Sequence, residues 1–198
     1  MDSEPETRLR TFDALSCQHF LAKPEYRGQR DRLRRLLDDL YALSSEKTDP
    51  RTLFLEYLLY EMGPYGEKLR RAADLQREYQ CSVYRWSEDG VRTKAVDSDA
   101  TFDVLFLCAE AFEGHECKVK IWNYIPMYQD IGQWDEDTIQ KLRFMEATHT
   151  VVMKTGRTSA VYVTGLDRAL LPIQQNLRRN GFTGIQLLGA DELEELLA

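Results

Sequence analysis

The sequence predicts an α/β (α+β) protein, a mixed central sheet flanked by helices and preceded by a helical N-terminal extension. Three observations predict it. Apolar residues recur at helical spacing through the first third of the chain, the middle changes to short runs rich in β-formers, and the last third alternates strand and helix patterns.

The elements follow in order. Residues 1 to about 12 are polar. From Thr11 to Leu43 the pattern is helical, with Leu33, Leu36, Leu37, Leu40 and Leu43 on one stripe. Asp49 can cap a further helix with Pro50 at its first position, and Gly63-Pro64 ends it. Another helix is expected from Tyr65 or Gly66 to about Tyr79. Cys81–Trp86 then reads as a strand, SEDG as a turn, and part of Val91–Val96 as a second strand. Phe102–Cys108 is an apolar strand interrupted by one acid, Asp103. After AFEG, read as a turn, His115–Trp122 alternates charged Glu116, Lys118 and Lys120 with apolar Cys117, Val119 and Ile121. A helix from Asp135 to about Thr148, strands at Thr150–Lys154 and Ala160–Thr164, a helix over 167–180, a strand at Ile185–Leu188 and a closing helix capped by Asp191 complete the chain. The expected division is a helical extension over residues 1–62 and a core over 63–198.

Composition narrows the function classes. The 43% hydrophobic share and eight Phe, ten Tyr and three Trp supply a packed core. No stretch approaches the roughly 18 apolar residues of a membrane helix, and the acidic, polar N-terminus does not read as a secretory signal. A cytoplasmic protein is expected, with Cys17, Cys81, Cys108 and Cys117 as free thiols, since no CxxC pair is present. The net charge of −7 argues against a simple nucleic-acid binder, although RGQRDRLRR (27–35) and EKLRR (67–71) are locally basic. Phosphate-binding glycine loops, HExxH and GxSxG are all absent from the sequence.

The informative segment is FDVLFLCAEAFEGHECKVKIW. Side chains alternate along a strand, so Glu116 and Lys118 share a face, and a hairpin brings Asp103 towards it. Two carboxylates converging from adjacent strands can hold Mg²⁺, a hard cation that takes oxygen ligands. A lysine beside them can orient a water or neutralise developing negative charge. One acid-x-Lys triplet is what this composition yields by chance, and a cross-strand salt bridge is the bland explanation. Asp103 tips the balance, because an acid inside an apolar strand needs a partner or a metal.

Asp103, twelve residues, then Glu116-Cys117-Lys118 on consecutive strands resembles the PD-(D/E)XK nuclease superfamily, over roughly residues 64–198. The ending NGFTGIQLLGADELEELLA resembles Mrr-type restriction-endonuclease-like domains. Phe102 stands where the eponymous proline would be. The resemblance implies a restriction-endonuclease-like core and Mg²⁺-dependent (or Mn²⁺-dependent) hydrolysis of a phosphodiester, in DNA rather than RNA, in restriction, antiviral defence or DNA repair. It implies Asp103 and Glu116 as metal ligands with the Cys117 carbonyl, and Lys118 as the residue that positions or activates water. It further implies an acid from a preceding helix, for which Glu67 and Glu56 compete, with Glu67 preferred. A homodimer is expected, with residues 1–62 available for a partner protein. The rival readings are an inactive nuclease-fold subunit that binds nucleic acid or scaffolds, and an unrelated α/β domain in which Glu116 and Lys118 are a surface pair. Several further positions have a bland reading that is preferred. His115 reads as an exposed turn residue, Gln140 and Lys141 as helix decoration, and Trp122, Tyr124, Tyr128 and Trp134 as packing aromatics; Lys120 can contact phosphate.

Overall fold

The computed structural model describes residues 31 and 50–197. The expected Thr11–Leu43 helix and the Asp49 cap lie outside the described residues, as does Cys17. The described chain begins with α1 (Pro50–Met62) and a short α2 (Glu67–Arg70). The strands β1 (Gln76–Cys81), β2 (Tyr84–Trp86), β3 (Arg92–Lys94), β4 (Phe102–Leu107) and β5 (Ala111–Cys117) follow. Next come α3 (Ile121–Tyr124), a 3₁₀ turn (Ile131–Gln133), α4 (Glu136–Lys154) and β6 (Thr158–Thr164). The chain closes with α5 (Leu171–Arg179), β7 (Ile185–Leu188) and α6 (Ala190–Leu197).

The expected mixed sheet flanked by helices is present. Five strands pair in the order β1-β4-β5-β6-β7, while β2 and β3 form a separate hairpin. The pairs β1–β4 and β4–β5 are antiparallel, and β5–β6 and β6–β7 are parallel. The parallel steps need crossovers, which α4 and α5 supply. Each face of the sheet has its own apolar layer. Leu55, Leu58 and Leu59 of α1 join Leu69, Val104, Phe106, Cys117 and Leu193 in one. Ile139, Leu142 and Met145 of α4 join Phe102, Phe112, Val161, Ile173 and Ile185 in the other. α1, the last helix of the expected 1–62 extension, shares a core with the sheet.

Several elements differ from expectation. The helix foreseen up to Tyr79 stops at Arg70, and Gln76–Cys81 pairs with β4 instead, so tertiary pairing overrides the helical preference of Gln, Arg and Glu. The strand expected over Cys81–Trp86 is divided, ending β1 and starting the hairpin. AFEG is the start of β5 and not a turn. Gly114 is there because the Phe102 ring lies where its Cβ would stand, 2.8 Å away. The strand also ends earlier than expected, at Cys117. Thr150–Lys154 continues α4, with Val152 buried and the Thr150 hydroxyl donating to the Glu146 carbonyl one turn back. Asp167, expected at the start of a helix, instead accepts the Ile121 N–H at 2.5 Å and the Ala190 N–H at 3.1 Å, and α5 starts at Leu171 with a proline in its first turn. Asp191 lies within the first turn of α6 and pairs with Arg168.

His115 is the sharpest reversal. It is fully buried in the middle of β5, not exposed in a turn. Its Nε2 lies 2.9 Å from Glu113 and its Nδ1 2.9 Å from the Thr164 hydroxyl, with Tyr162 stacked on the ring. Glu113 also accepts the N–H groups of Tyr65 and Gly66 at 2.6 and 2.7 Å, anchoring the entry to α2. These bonds satisfy an acid and an imidazole that would otherwise be costly to bury.

Candidate active site

The last pair of the β4–β5 ladder is Val104 with His115, so Asp103 and Glu116 are the residues just beyond it on the two strands. Asp103 does not simply face solvent. Its Oδ2 accepts the Cys117 N–H at 2.7 Å, which ties the start of β4 to the end of β5. Glu116 is 4% exposed and is held from two sides. Lys118 Nζ donates to Oε1 at 2.5 Å, and Lys141 Nζ of α4 lies 2.5 Å from Oε2. The second contact is an ion pair outside hydrogen-bond angles, so among the described residues Oε2 has no hydrogen-bond partner. Lys118 itself follows the last residue of β5; its N–H still bonds the Thr164 carbonyl at 2.8 Å, fixing the backbone where the lysine leaves.

A third carboxylate joins from α1. Glu56 is 4% exposed, and its Oε2 is buried without a hydrogen-bond partner among the described residues. Burial, then repulsion from Asp103, pushes the Glu56 carboxyl up to about 7, against the pull of Lys118 and Lys141. Burial and then Glu116 raise Asp103 to about 6, although the Cys117 N–H and both lysines favour its charged form. Burial disfavours the Lys118 ammonium, but Glu116 outweighs it, and its pKa stays above the ordinary lysine value. With all three acids ionised, the constellation sets three carboxylates against two ammonium groups, one negative charge in excess.

The structure brings Asp103, Glu116 and Lys118 together as the sequence suggested. It does not bring Glu67 to them: that side chain is 68% exposed and pairs with Arg71 one turn along α2. Glu56, the less favoured position, is the helix acid that reaches the cluster electrostatically. Lys141, read as helix decoration, is the second cation. The Cys117 thiol is buried in the apolar layer beside α1 and pushed well above the usual thiol range by burial, so only its backbone is suited to a hard cation. Lys120 does not share a strand face with Glu116; it is the N-cap of α3, 5.7 Å from the exposed Trp122 ring. Tyr128 is exposed and Trp134 is core. Tyr124 was a generic aromatic in the sequence, yet its ring lies 4.9 Å from Lys118 Nζ. Its hydroxyl is buried without a hydrogen-bond partner among the described residues. A solvent-open depression of about 360 Å³ is lined by Lys118, Val119, Lys120, Asn123 and Tyr124.

The chemistry of the donor set fits a hard divalent cation. It offers carboxylate oxygens only, carries one uncompensated negative charge once all three acids are ionised, and leaves a buried Glu56 oxygen without a hydrogen-bond partner among the described residues. As the side chains stand, no group of three His, Cys, Asp or Glu among the described residues is arranged to hold a metal ion. The Glu116 oxygens face Lys118 and Lys141, and one Asp103 oxygen faces the Cys117 N–H. Binding a cation thus requires the lysines to swing from Glu116.

No protein-family model matches the chain, and no curated protein matches it. Among solved structures, the chain is similar to the small subunit of the heterodimeric restriction endonuclease R.BspD6I, with 16% identity and a TM-score of 0.41 over 83% of this chain and 76% of that one. Among the described residues, no helix is long and apolar enough to cross a membrane.

Proposed function

We propose that the chain is a metal-dependent nuclease of the restriction-endonuclease-like class that hydrolyses phosphodiester bonds, in DNA rather than RNA. The observation that carries this is Glu116 held by Lys118 and Lys141 where Asp103 ties β4 to β5, with the buried Glu56 of α1 in electrostatic reach. In this reading Asp103 and Glu116 would hold Mg²⁺, or Mn²⁺, with the Cys117 carbonyl. The ion, when bound, would lower the pKa of a water and offset charge on a phosphoryl oxygen. Lys118, kept as an ammonium, would position or activate the attacking water by hydrogen bonding or meet the negative phosphoryl oxygen; its raised pKa makes it a poor proton acceptor. Glu56, at about 7, can exchange a proton at neutral pH, which suits the helix acid of such a site. The sequence of β7 and α6 is the basis for placing the chain near Mrr-type domains. A homodimer, cytoplasmic, serving restriction, antiviral defence or DNA repair, is part of the same reading, with the part of the 1–62 extension that precedes α1 as the segment to bind a partner protein.

The test is cleavage of supercoiled plasmid and labelled oligonucleotides by the purified chain with Mg²⁺ or Mn²⁺. Asp103→Asn and Glu116→Gln are each expected to lower the rate at least about a hundredfold, with EDTA abolishing it. Wild-type protein that cuts neither DNA nor RNA with either metal would leave the rival, an inactive subunit of the same fold. The two lysines clamped on Glu116 are the observation that favours this rival.

A further inference from the structure

The β2–β3 hairpin carries aromatic and cationic side chains together on one face. Its register pairs Tyr84 with Lys94 and Trp86 with Arg92, so these four side chains share a face, and Arg85 and Thr93 take the other. Trp86 is 70% exposed, and the Arg92 guanidinium lies 4.5 Å from the centre of the exposed Tyr84 ring. Lys94 is steadied by Asp99 at 2.5 Å and the Ser98 carbonyl at 2.8 Å. Two large rings left in water are costly on a hairpin that contributes little to the core.

The hairpin's place in the chain matters as much as its composition. The last β1–β4 pair is Cys81 with Phe102, and Asp103 is the next residue. Hydrogen bonds from the Ser82 hydroxyl to the Ala100 carbonyl and from the Ala95 N–H to the Val83 carbonyl fasten the base of the hairpin there. The hairpin therefore leaves the sheet at the end that bears the acid cluster. Trp86 is five residues past Cys81, a reach of at most about 18 Å, or roughly five nucleotides at ~3.4 Å of strand each.

We infer that this face is a platform for an unpaired stretch of nucleic-acid strand. A base stacks on the exposed Trp86 ring, and Arg92, held over the Tyr84 ring, meets a phosphate a few nucleotides from the acid cluster. This rests on the nuclease reading. A protein partner suits the face less well, since the centre of such an interface is depleted of charge and here Lys94 and Arg92 stand cross-strand from the two rings. A paired duplex suits it less well too, because its bases are stacked on one another and offer no free π-face. The Glu88-Asp89 pair at the tip repels phosphate and disfavours pushing the hairpin into a groove tip-first, which leaves contact through the aromatic face.

The experiment is fluorescence anisotropy of the full chain in EDTA with labelled single-stranded DNA and RNA of about twenty nucleotides, and with blunt duplex. Wild-type protein is expected to prefer single strands. Trp86→Ala is expected to weaken single-strand affinity about tenfold, and Arg92→Ala to reduce the salt slope by about one. Both residues are exposed, so loss of folding does not complicate the result. Unchanged single-strand binding by both variants overturns the inference, as does a wild-type preference for duplex. A self-association lost in Trp86→Ala with strand binding intact overturns it as well, marking the face as a protein contact. Cleavage is scored separately with Asp103→Asn. Trp86-dependent binding without any cleavage supports the platform and sinks the nuclease reading, whereas cleavage with no Trp86 effect on binding sinks the platform alone.

Discussion

Glu56 shows what one misplaced-looking acid does to a molecule. Its folded pKa, about 7, lies above the 4.5 of an ordinary glutamate, so between those values the folded chain keeps a proton that the unfolded chain has released. The contribution to stability is complete below pH 4.5 and is lost as pH rises through 7; Asp103, raised from 3.8 to about 6, adds to the same fall. Glu56→Gln removes the larger part. Without divalent metal it is expected to match wild type near pH 4 and to be more stable by about 3 kcal/mol at pH 8, read from urea midpoints. Parallel pH curves for the two proteins would show that Glu56 is not held out of its charged state. The sequence contained this residue but ranked it second, because a glutamate in LFLEYLLYEMG carries no sign of which helix face packs on the sheet. Glu67 looked better by proximity to β1, and proximity in sequence is not proximity to the site. Asp103 was legible, because an acid between apolar neighbours has few bland explanations.

At the level of elements, the site depends on how β5 ends. Three constraints meet there: the Asp103 carboxylate on the Cys117 N–H, the Thr164 carbonyl on the Lys118 N–H, and Asp167 on the Ile121 N–H. Gly165, just past β6, lets these segments approach. A Cβ there would stand 2.4 Å from the Lys118 carbonyl oxygen and 2.6 Å from Ile121. Gly165→Ala is therefore expected to cost about 2–3 kcal/mol and, by displacing Lys118, to lower cleavage further than stability alone explains. A variant that unfolds at the wild-type urea midpoint would show that the turn has slack. The sequence revealed the period-two run at Glu116–Lys120 but not its end, since the break comes from Asp167, 46 residues away. The β-branched run Thr150–Val152 misled in the opposite direction: local propensity favoured a strand, and burial of α4 against the sheet won.

For the whole molecule, the proposed cation site would make cation binding and folding one equilibrium. Millimolar Mg²⁺ at a hundred times its dissociation constant would stabilise the fold by about 2.7 kcal/mol. At pH 8, above both folded values, Glu56 and Asp103 are charged and the full shift in Tm is expected. At pH 5, below the folded values of about 7 and about 6, Glu56 and Asp103 hold protons and the shift is expected to shrink to near zero. Calorimetry at both pH values decides this, and equal shifts would place the cation elsewhere. The layered architecture was legible because apolar periodicity reports which side of an element is buried. The strand order and the contribution of α1 to the core were not, because pairing is settled between segments far apart in the chain.

The crossover through α4 has a consequence for the route to the folded state. The antiparallel run β1–β4–β5 closes with short loops and the intervening hairpin, whereas β6 joins β5 in parallel only after a connection of forty residues is closed. Lys141 sits on that connection, so the closure that completes the sheet is also what brings the second cation to Glu116.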